Sequence, residues 1–154
     1  MSTFSRRSLI LGACAAGLIG ICSISSASSP LQIKVYKTPW CRCCGDWVTH
    51  LQSHGIKTDV YEMEDLAPMK AHYGVRKELQ SCHTAVIDGY VIEGHVPAED
   101  IRRLIAEKPK ATGLTVPGMP VGSPGMEHGD QRDPYLVLLF DDLSTTVFSK
   151  YNES

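Results

Sequence analysis

The sequence predicts an α/β domain, and three observations carry that prediction. Alternating and helix-periodic apolar patterns succeed one another over residues 31–109 in the order β-α-β-α-β-β-α. A Cys-x-x-Cys pair, Cys41 and Cys44, falls where the first strand pattern gives way to the first helix pattern. A Gly- and Pro-rich stretch and two further apolar strand patterns then extend this core. At 154 residues the chain has the length of one ordinary domain, and no internal repeat divides it.

Each element has a local reason. "LQIKVYK" (31–37) sets Leu31, Ile33 and Val35 against Gln32, Lys34 and Tyr36, the alternation of a half-buried strand, and Thr38-Pro39 breaks it. From Cys41 to His54 the period becomes helical: Cys44, Trp47, Val48 and Leu51 share one face, and Gly55 is the stop. "KTDVYEM" (57–63) is a second strand, and "DLAPMKAHYG" (65–74) a short helix with Pro68 in its first turn. "TAVIDGYVIEG" (84–94) is two short strands about Asp88-Gly89, a hairpin turn pair. "VPAEDIRRLIAEKP" (96–109) is a helix with Pro97 at its start and Glu99 and Asp100 at the positive end of its dipole. Its apolar face is Ile101, Leu104 and Ile105. Residues 110–134 read as a long Gly/Pro-rich loop, and loops of that length are usually functional or disordered. "YLVLLF" (135–140) and "TTVFSKY" (145–151) form a closing hairpin that turns at Asp141-Asp142.

The N-terminus is of another kind. Arg6-Arg7 precedes an apolar run from Leu9 to Ile24 that has no acidic residue, and "SSASS" follows with small residues at Ser25 and Ala27. That is the layout of a bacterial export signal, with cleavage near Ala27-Ser28. Residues 1–27 are therefore read as the signal and 28–154 as the domain, located in the periplasm and free of the membrane once the signal is removed. "SRRSLI" resembles the twin-arginine signal of folded cargo, and the general secretory route and a retained anchor are the alternatives. "LGAC" (11–14) loosely resembles a lipoprotein box, but the apolar stretch before it is too short.

Loss of the signal takes Cys14 and Cys22 with it and leaves Cys41, Cys43, Cys44 and Cys82. It also leaves 13 basic against 17 acidic residues, no basic excess that would suit nucleic acid. In an oxidising compartment unpaired thiols need a reason to persist, and a bound soft metal is one.

Cys41 and Cys44 open a helix, where free backbone N–H groups and the helix dipole stabilise thiolates. The element order and "TPWCRCC" together resemble the thioredoxin fold over roughly residues 31–108. Two departures stand out. A third thiol, Cys43, lies inside the motif, and "SCHTAV" stands where thioredoxin-like enzymes carry a cis-proline. On that fold Cys82 lies beside Cys41 and Cys44, so four thiols converge. One tetrahedral zinc is the simplest occupant. Vicinal Cys43 and Cys44 diverge by about 100° on a helix, which favours thiolates bridging several soft ions, and Cu(I) prefers such ligands.

"CRCC", "SCHTAVIDGYVIEGHVPAEDI" and "GLTVPGMPVGSPGME" together resemble the CopG-type periplasmic copper-resistance proteins across nearly all of the exported part. The resemblance implies a thioredoxin-like fold and a cysteine-bridged cluster of more than one Cu(I) ion on Cys41, Cys43, Cys44 and Cys82. It implies a role in copper tolerance beside periplasmic efflux or chaperone proteins, and it suggests copper redox activity. The competing readings are a thiol–disulfide oxidoreductase, with Cys41 as nucleophile and Cys44 as resolving thiol, and a passive binder with a structural disulfide.

Other candidates are weighed against ordinary roles. Met119 and Met126 offer thioethers, or simply pack the loop. In an extended segment His83 points away from Cys82, which favours a supporting or structural role. His95 reads as packing ahead of a helix, and His128 is open. Asp46, His50 and His54 form a strip read as solvated surface. Trp40 and Trp47 are read as packing around the site, and Arg42 as a cation near the thiolates or simply solvated.

Overall fold

Seven strands form a single sheet in the order β2-β1-β3-β4-β5-β6-β7. The computed structural model describes residues 30–153, so the signal and cleavage expectations for residues 1–27 lie outside the described residues. The elements are β1 (Gln32–Lys37), α1 (Arg42–Ser53), β2 (Lys57–Glu62), α2 (Ala67–His72), β3 (Thr84–Ile87), β4 (Tyr90–Glu93), α3 (Ala98–Glu107), β5 (Gly113–Thr115), β6 (Tyr135–Phe140) and β7 (Thr145–Tyr151). The α/β class and the predicted element order hold.

Pairing follows from connection length. α1 carries the chain from β1 to β2, which pair in parallel. β3 pairs antiparallel on the other side of β1, and β4 returns antiparallel to β3. α3 then crosses from β4 to β5, again parallel. The β3–β4 turn is two residues, Asp88 (φ 50°) and Gly89 (φ 84°), both in the left-handed region that such tight hairpins require.

Helices cover both faces of the sheet. Trp47, Val48 and Leu51 of α1 and Ile101 and Leu104 of α3 join Ile33, Val35, Ala85, Ile92, Leu114 and Val137 in the main core. Val75 and Leu79, which follow α2, pack with Val91 and Phe140 on the opposite face. Adjacent Val91 and Ile92 thus serve opposite sides, as the two-residue period of a strand demands.

The reading of 110–134 as loop needs correction, because β5 lies inside it and is the hinge on which β6 and β7 are added to the sheet. Three residues with one glycine carry too short a pattern to register as a strand, although all three are buried. β7 is tied to α3: Tyr151 donates to Asp100 Oδ2 at 2.7 Å, Ser149 donates to Asp100 Oδ1, and Arg103 stacks 3.6 Å over the Phe148 ring.

Candidate metal centre

The site lies where four segments meet: the start of α1, residues 81–83 before β3, residues 94–96 after β4, and residues 123–126 of the long loop. Cys41 is the N-cap of α1 and offers no side-chain cap, and the first turn holds no acidic residue. The helix N-terminus therefore faces the sulfurs with unopposed partial positive charge. Cys44 turns inward with Trp47 and is fully buried, while Cys41, Cys43 and Cys82 are half-buried.

The predicted convergence of cysteines is observed as geometry. The Sγ atoms of Cys41, Cys43, Cys44 and Cys82 all lie within 4.8 Å of one another. Cys43 Sγ stands 3.6 Å from Cys41 Sγ and 3.9 Å from Cys82 Sγ. Cys41 and Cys44 are joined as a disulfide, and Cys43 and Cys82 are free. Adjacent Cys43 and Cys44 differ in burial, Cys43 half-buried and Cys44 buried, yet their Sγ atoms lie within 4.8 Å. In the first turn of a helix both still reach the space beyond its end.

Cys82 is held from behind. Ser81 N–H donates to buried Glu93 Oε1 at 2.7 Å, and Glu93 also accepts from Lys70 Nζ at 2.5 Å and from Thr84 Oγ1 at 2.6 Å. Gly94, at φ 73°, brings its backbone so close to this segment that a Cβ there would lie 2.5 Å from Ser81 Cβ. Burial, reinforced by neighbouring Cys43, pushes the Cys82 thiol up to about 12. It is therefore a protonated donor until a metal displaces the proton.

Two histidines depart from the sequence expectation. His95 is fully buried, and its Nε2 lies 3.0 Å from Cys82 Sγ. His83 does not point away from Cys82: its Nδ1 is 3.4 Å from the same sulfur, and the ring lies against Trp47 with centroids 4.3 Å apart. His83 Nε2 is buried without a hydrogen-bond partner. Burial lowers the pKa of both, so both imidazoles are neutral. The sequence does hold a usable signal. A two-residue turn at Asp88-Gly89 pairs Thr84 with Glu93, and the ladder continues through Gly94 N–H to His83 O at 3.1 Å. One step further, that register sets Cys82 opposite His95.

The remaining candidates fall away from the sulfurs or around them. Trp47 packs as expected and donates to Val96 O at 2.9 Å, but Trp40 is 70% exposed and is not a packing residue of the core. The strip of Asp46, His50 and His54 is not simply solvated surface. His50, neutral through burial and the nearby His54, accepts the Ala98 N–H at 3.1 Å and ties α1 to the start of α3. Arg42, Cys43, Asp46, Met126 and His128 line a cleft of about 400 Å³ beside the cysteines. Met119 is 52% exposed. Gly125, at φ 84°, rests on the first turn of α1; a Cβ there would lie 2.7 Å from both Cys43 O and Trp47 N. No helix among the described residues is long and apolar enough to cross a membrane.

The family model described as "Protein of unknown function, DUF411" matches residues 79–126, the stretch that carries Cys82, His95 and the loop over α1. No curated protein matches the chain. Two solved structures do, "Copper resistance protein copG- Form 2" and "Copper resistance protein copG- Form 1". Each is 44% identical with a TM-score of 0.77, and the matches cover 80% and 81% of this chain and 100% of theirs. With 44% identity spanning the whole of those chains, this chain belongs to the CopG copper-resistance protein family.

Proposed function

We propose that this protein is a periplasmic copper-binding protein of copper resistance, whose reduced form holds more than one Cu(I) ion on Cys41, Cys43, Cys44 and Cys82. The observation that carries the reading is the meeting of the Cys41–Cys44 turn with distant Cys82, all four sulfurs lying within 4.8 Å of one another. Thiolates are soft donors that suit Cu(I). Relatives 44% identical are named copper resistance proteins. The reading includes a thioredoxin-like core, in which β1-α1-β2 and β3-β4-α3 bring the cysteine turn against the residues before β3. It also includes export by residues 1–27 and release of copper to efflux or chaperone partners. Cycling of bound copper between Cu(I) and Cu(II) is its oxidoreductase extension. Opening the Cys41–Cys44 disulfide takes two electrons and two protons, so a thiol reductant must act before all four sulfurs are ligands.

The test is metal analysis of protein from copper-supplemented periplasm. More than one copper per chain, with little zinc and strong loss in Cys82→Ser, is the expected result. Copper content unaffected by Cys82→Ser would sink the four-sulfur site.

The disulfide itself favours a second reading, a thiol–disulfide oxidoreductase that uses Cys41 and Cys44. Against it, free Cys43 stands 3.6 Å from Cys41 Sγ, where it would compete with Cys44 in resolving any mixed disulfide. Robust insulin reduction by metal-free protein would favour this reading over the first.

A further inference from the structure

We propose that His50, His54 and Glu99 form a second metal site, at the far end of α1 from the cysteines, and that its ion is Cu(II). One donor atom from each of the three residues lies within 4.8 Å of the others. The site shares no residue with the sulfur centre, so it stands or falls independently of the copper reading above.

The pairing of the imidazoles comes from α1. His50 and His54 are four residues apart, about one helical turn, which sets both rings on one face with centroids 4.3 Å apart. His54 Nδ1 lies 2.8 Å from His50 O, and a carbonyl oxygen can only accept, so Nδ1 carries the proton. In the neutral ring the lone pair is therefore on Nε2. Metal-bound histidines nearly always give their other N–H to a carbonyl or carboxylate, and His54 has that arrangement before any metal arrives. His50 has its lone pair on Nε2, where it accepts the Ala98 N–H at 3.1 Å. Ala98 opens α3 and its amide has no acceptor inside the helix, so an ion that takes this lone pair releases the amide to water. Burial, helped by the nearby His54, holds His50 below the ordinary imidazole value, so no proton competes for the lone pair near neutrality.

The third donor comes from α3. Glu99 stands in its first turn, where the helix dipole favours a charged carboxylate. Two contacts pin this helix to the end of α1: the Ala98 N–H on His50, and the Arg102 guanidinium on His54 O. The donors thus sit on two helices already held together, which lowers the ordering cost of binding. The ion lies at the C-terminal end of α1, where the dipole favours a cation. Glu99 and Glu127 are the acidic groups whose charge reaches His50, and Arg102 is the cation that opposes the ion. His54 and Glu99 are exposed, so water can complete the coordination. Two imidazoles and a carboxylate are borderline and hard donors, unlike the soft thiolates at the other end of α1. Such a set suits divalent ions, and among first-row divalent ions Cu(II) is the one that a given nitrogen and oxygen set binds most tightly.

The test uses protein purified without a histidine tag, carrying Cys43→Ser and Cys82→Ser and with Cys41–Cys44 oxidised, so that no thiol binds or reduces the metal. One equivalent of Cu(II) should give an electron paramagnetic resonance spectrum split by two imidazole nitrogens. His54→Gln and Glu99→Gln, each added to this parent, should weaken Cu(II) binding at least about tenfold, the scale on which a metal site suffers from loss of even a supporting group. A spectrum and affinity unchanged by His54→Gln would place the copper on another group, such as the amino terminus, and overturn the site. Parent affinity in Glu99→Gln would overturn it as a three-donor site. Both results leave the cysteine reading standing. If the serine parent fails to fold, wild-type protein labelled with 15N and titrated with excess Zn(II) decides. His54 Nε2 and the Ala98 amide should then shift, and zinc excess with both unmoved would overturn the inference.

Discussion

Glu93 is the residue on which the placement of Cys82 depends most. Its carboxylate receives Lys70, Thr84 and the Ser81 amide, and its side chain has no solvent exposure. Removing one member of a buried ion pair leaves the other charge uncompensated, at a cost of about 3–5 kcal/mol. Glu93→Ala should therefore lower unfolding free energy by about that amount in urea titration. Joint replacement of Lys70 and Glu93 by apolar residues of similar volume should recover most of it. A double variant as unstable as the single one would show that the Ser81 and Thr84 hydrogen bonds matter more than the charge. Gly125 is the other sensitive position. Any side chain there meets the α1 backbone and must also adopt a left-handed conformation. Gly125→Ala should cost at least about 1–3 kcal/mol and loosen the loop over Cys43, read as faster amide exchange at Trp47. Exchange at Trp47 equal to wild type would show that the loop does not shield this turn.

At the scale of elements, α1 performs two tasks with one face. Its N-terminus presents Cys41, Cys43 and Cys44, and one turn later Trp47 seats the helix on the sheet and packs against His83 with the rings tilted by 42°. Trp47→Ala should destabilise the fold by about 3–5 kcal/mol, measured by denaturant midpoint at constant slope. It should also weaken Cu(I) binding, because His83 loses the wall that holds it beside Cys82. Unchanged copper affinity in a folded Trp47→Ala would separate the two tasks. The helix itself was legible in sequence, since Cys44, Trp47, Val48 and Leu51 recur at helical spacing and all four are buried. The hairpin was equally legible, because Asp88-Gly89 admits few turn geometries. β5 was not, because three residues cannot display a period. The role of His95 was not either. Its neighbours in sequence lead into a helix, and its chemistry comes from a cross-strand partner and a loop carbonyl almost thirty residues on.

For the whole molecule, the site joins segments spread across the fold. The start of α1, the residues before β3, the turn after β4 and the 123–126 loop meet at the sulfurs, and β5–β7 anchor the ends of that loop to the sheet. A ligand bound here should stabilise the entire domain by mass action, by about 4 kcal/mol at a thousandfold excess over its dissociation constant. Reduced protein should thus gain several degrees in Tm on loading with Cu(I), and oxidised protein, with Cys41 and Cys44 joined, should gain much less. Calorimetry of the two forms checks this, and equal gains would mean that copper does not need the Cys41 and Cys44 thiols. The convergence of four cysteines was readable only through an assumed topology. The sequence carries their number and spacing, and long-range pairing of β1 with β3 carries their meeting.

The two-residue turn of the β3–β4 hairpin has a consequence for how this protein can change over generations. Cys82 and His95 stand at the open end of a ladder whose closed end is Asp88-Gly89, so one count of residues governs which atoms face each other. A single-codon insertion or deletion in either strand between them would slide the pairing by one place and turn alternate side chains to the opposite face. Residues 127–131, exposed and outside every strand of the sheet, hold only the local turn that pairs His128 with Gln131, and no register of the sheet runs through them. Variation in length should therefore accumulate there and be absent between Cys82 and His95, so that this interval keeps a constant span while the loop beside it drifts.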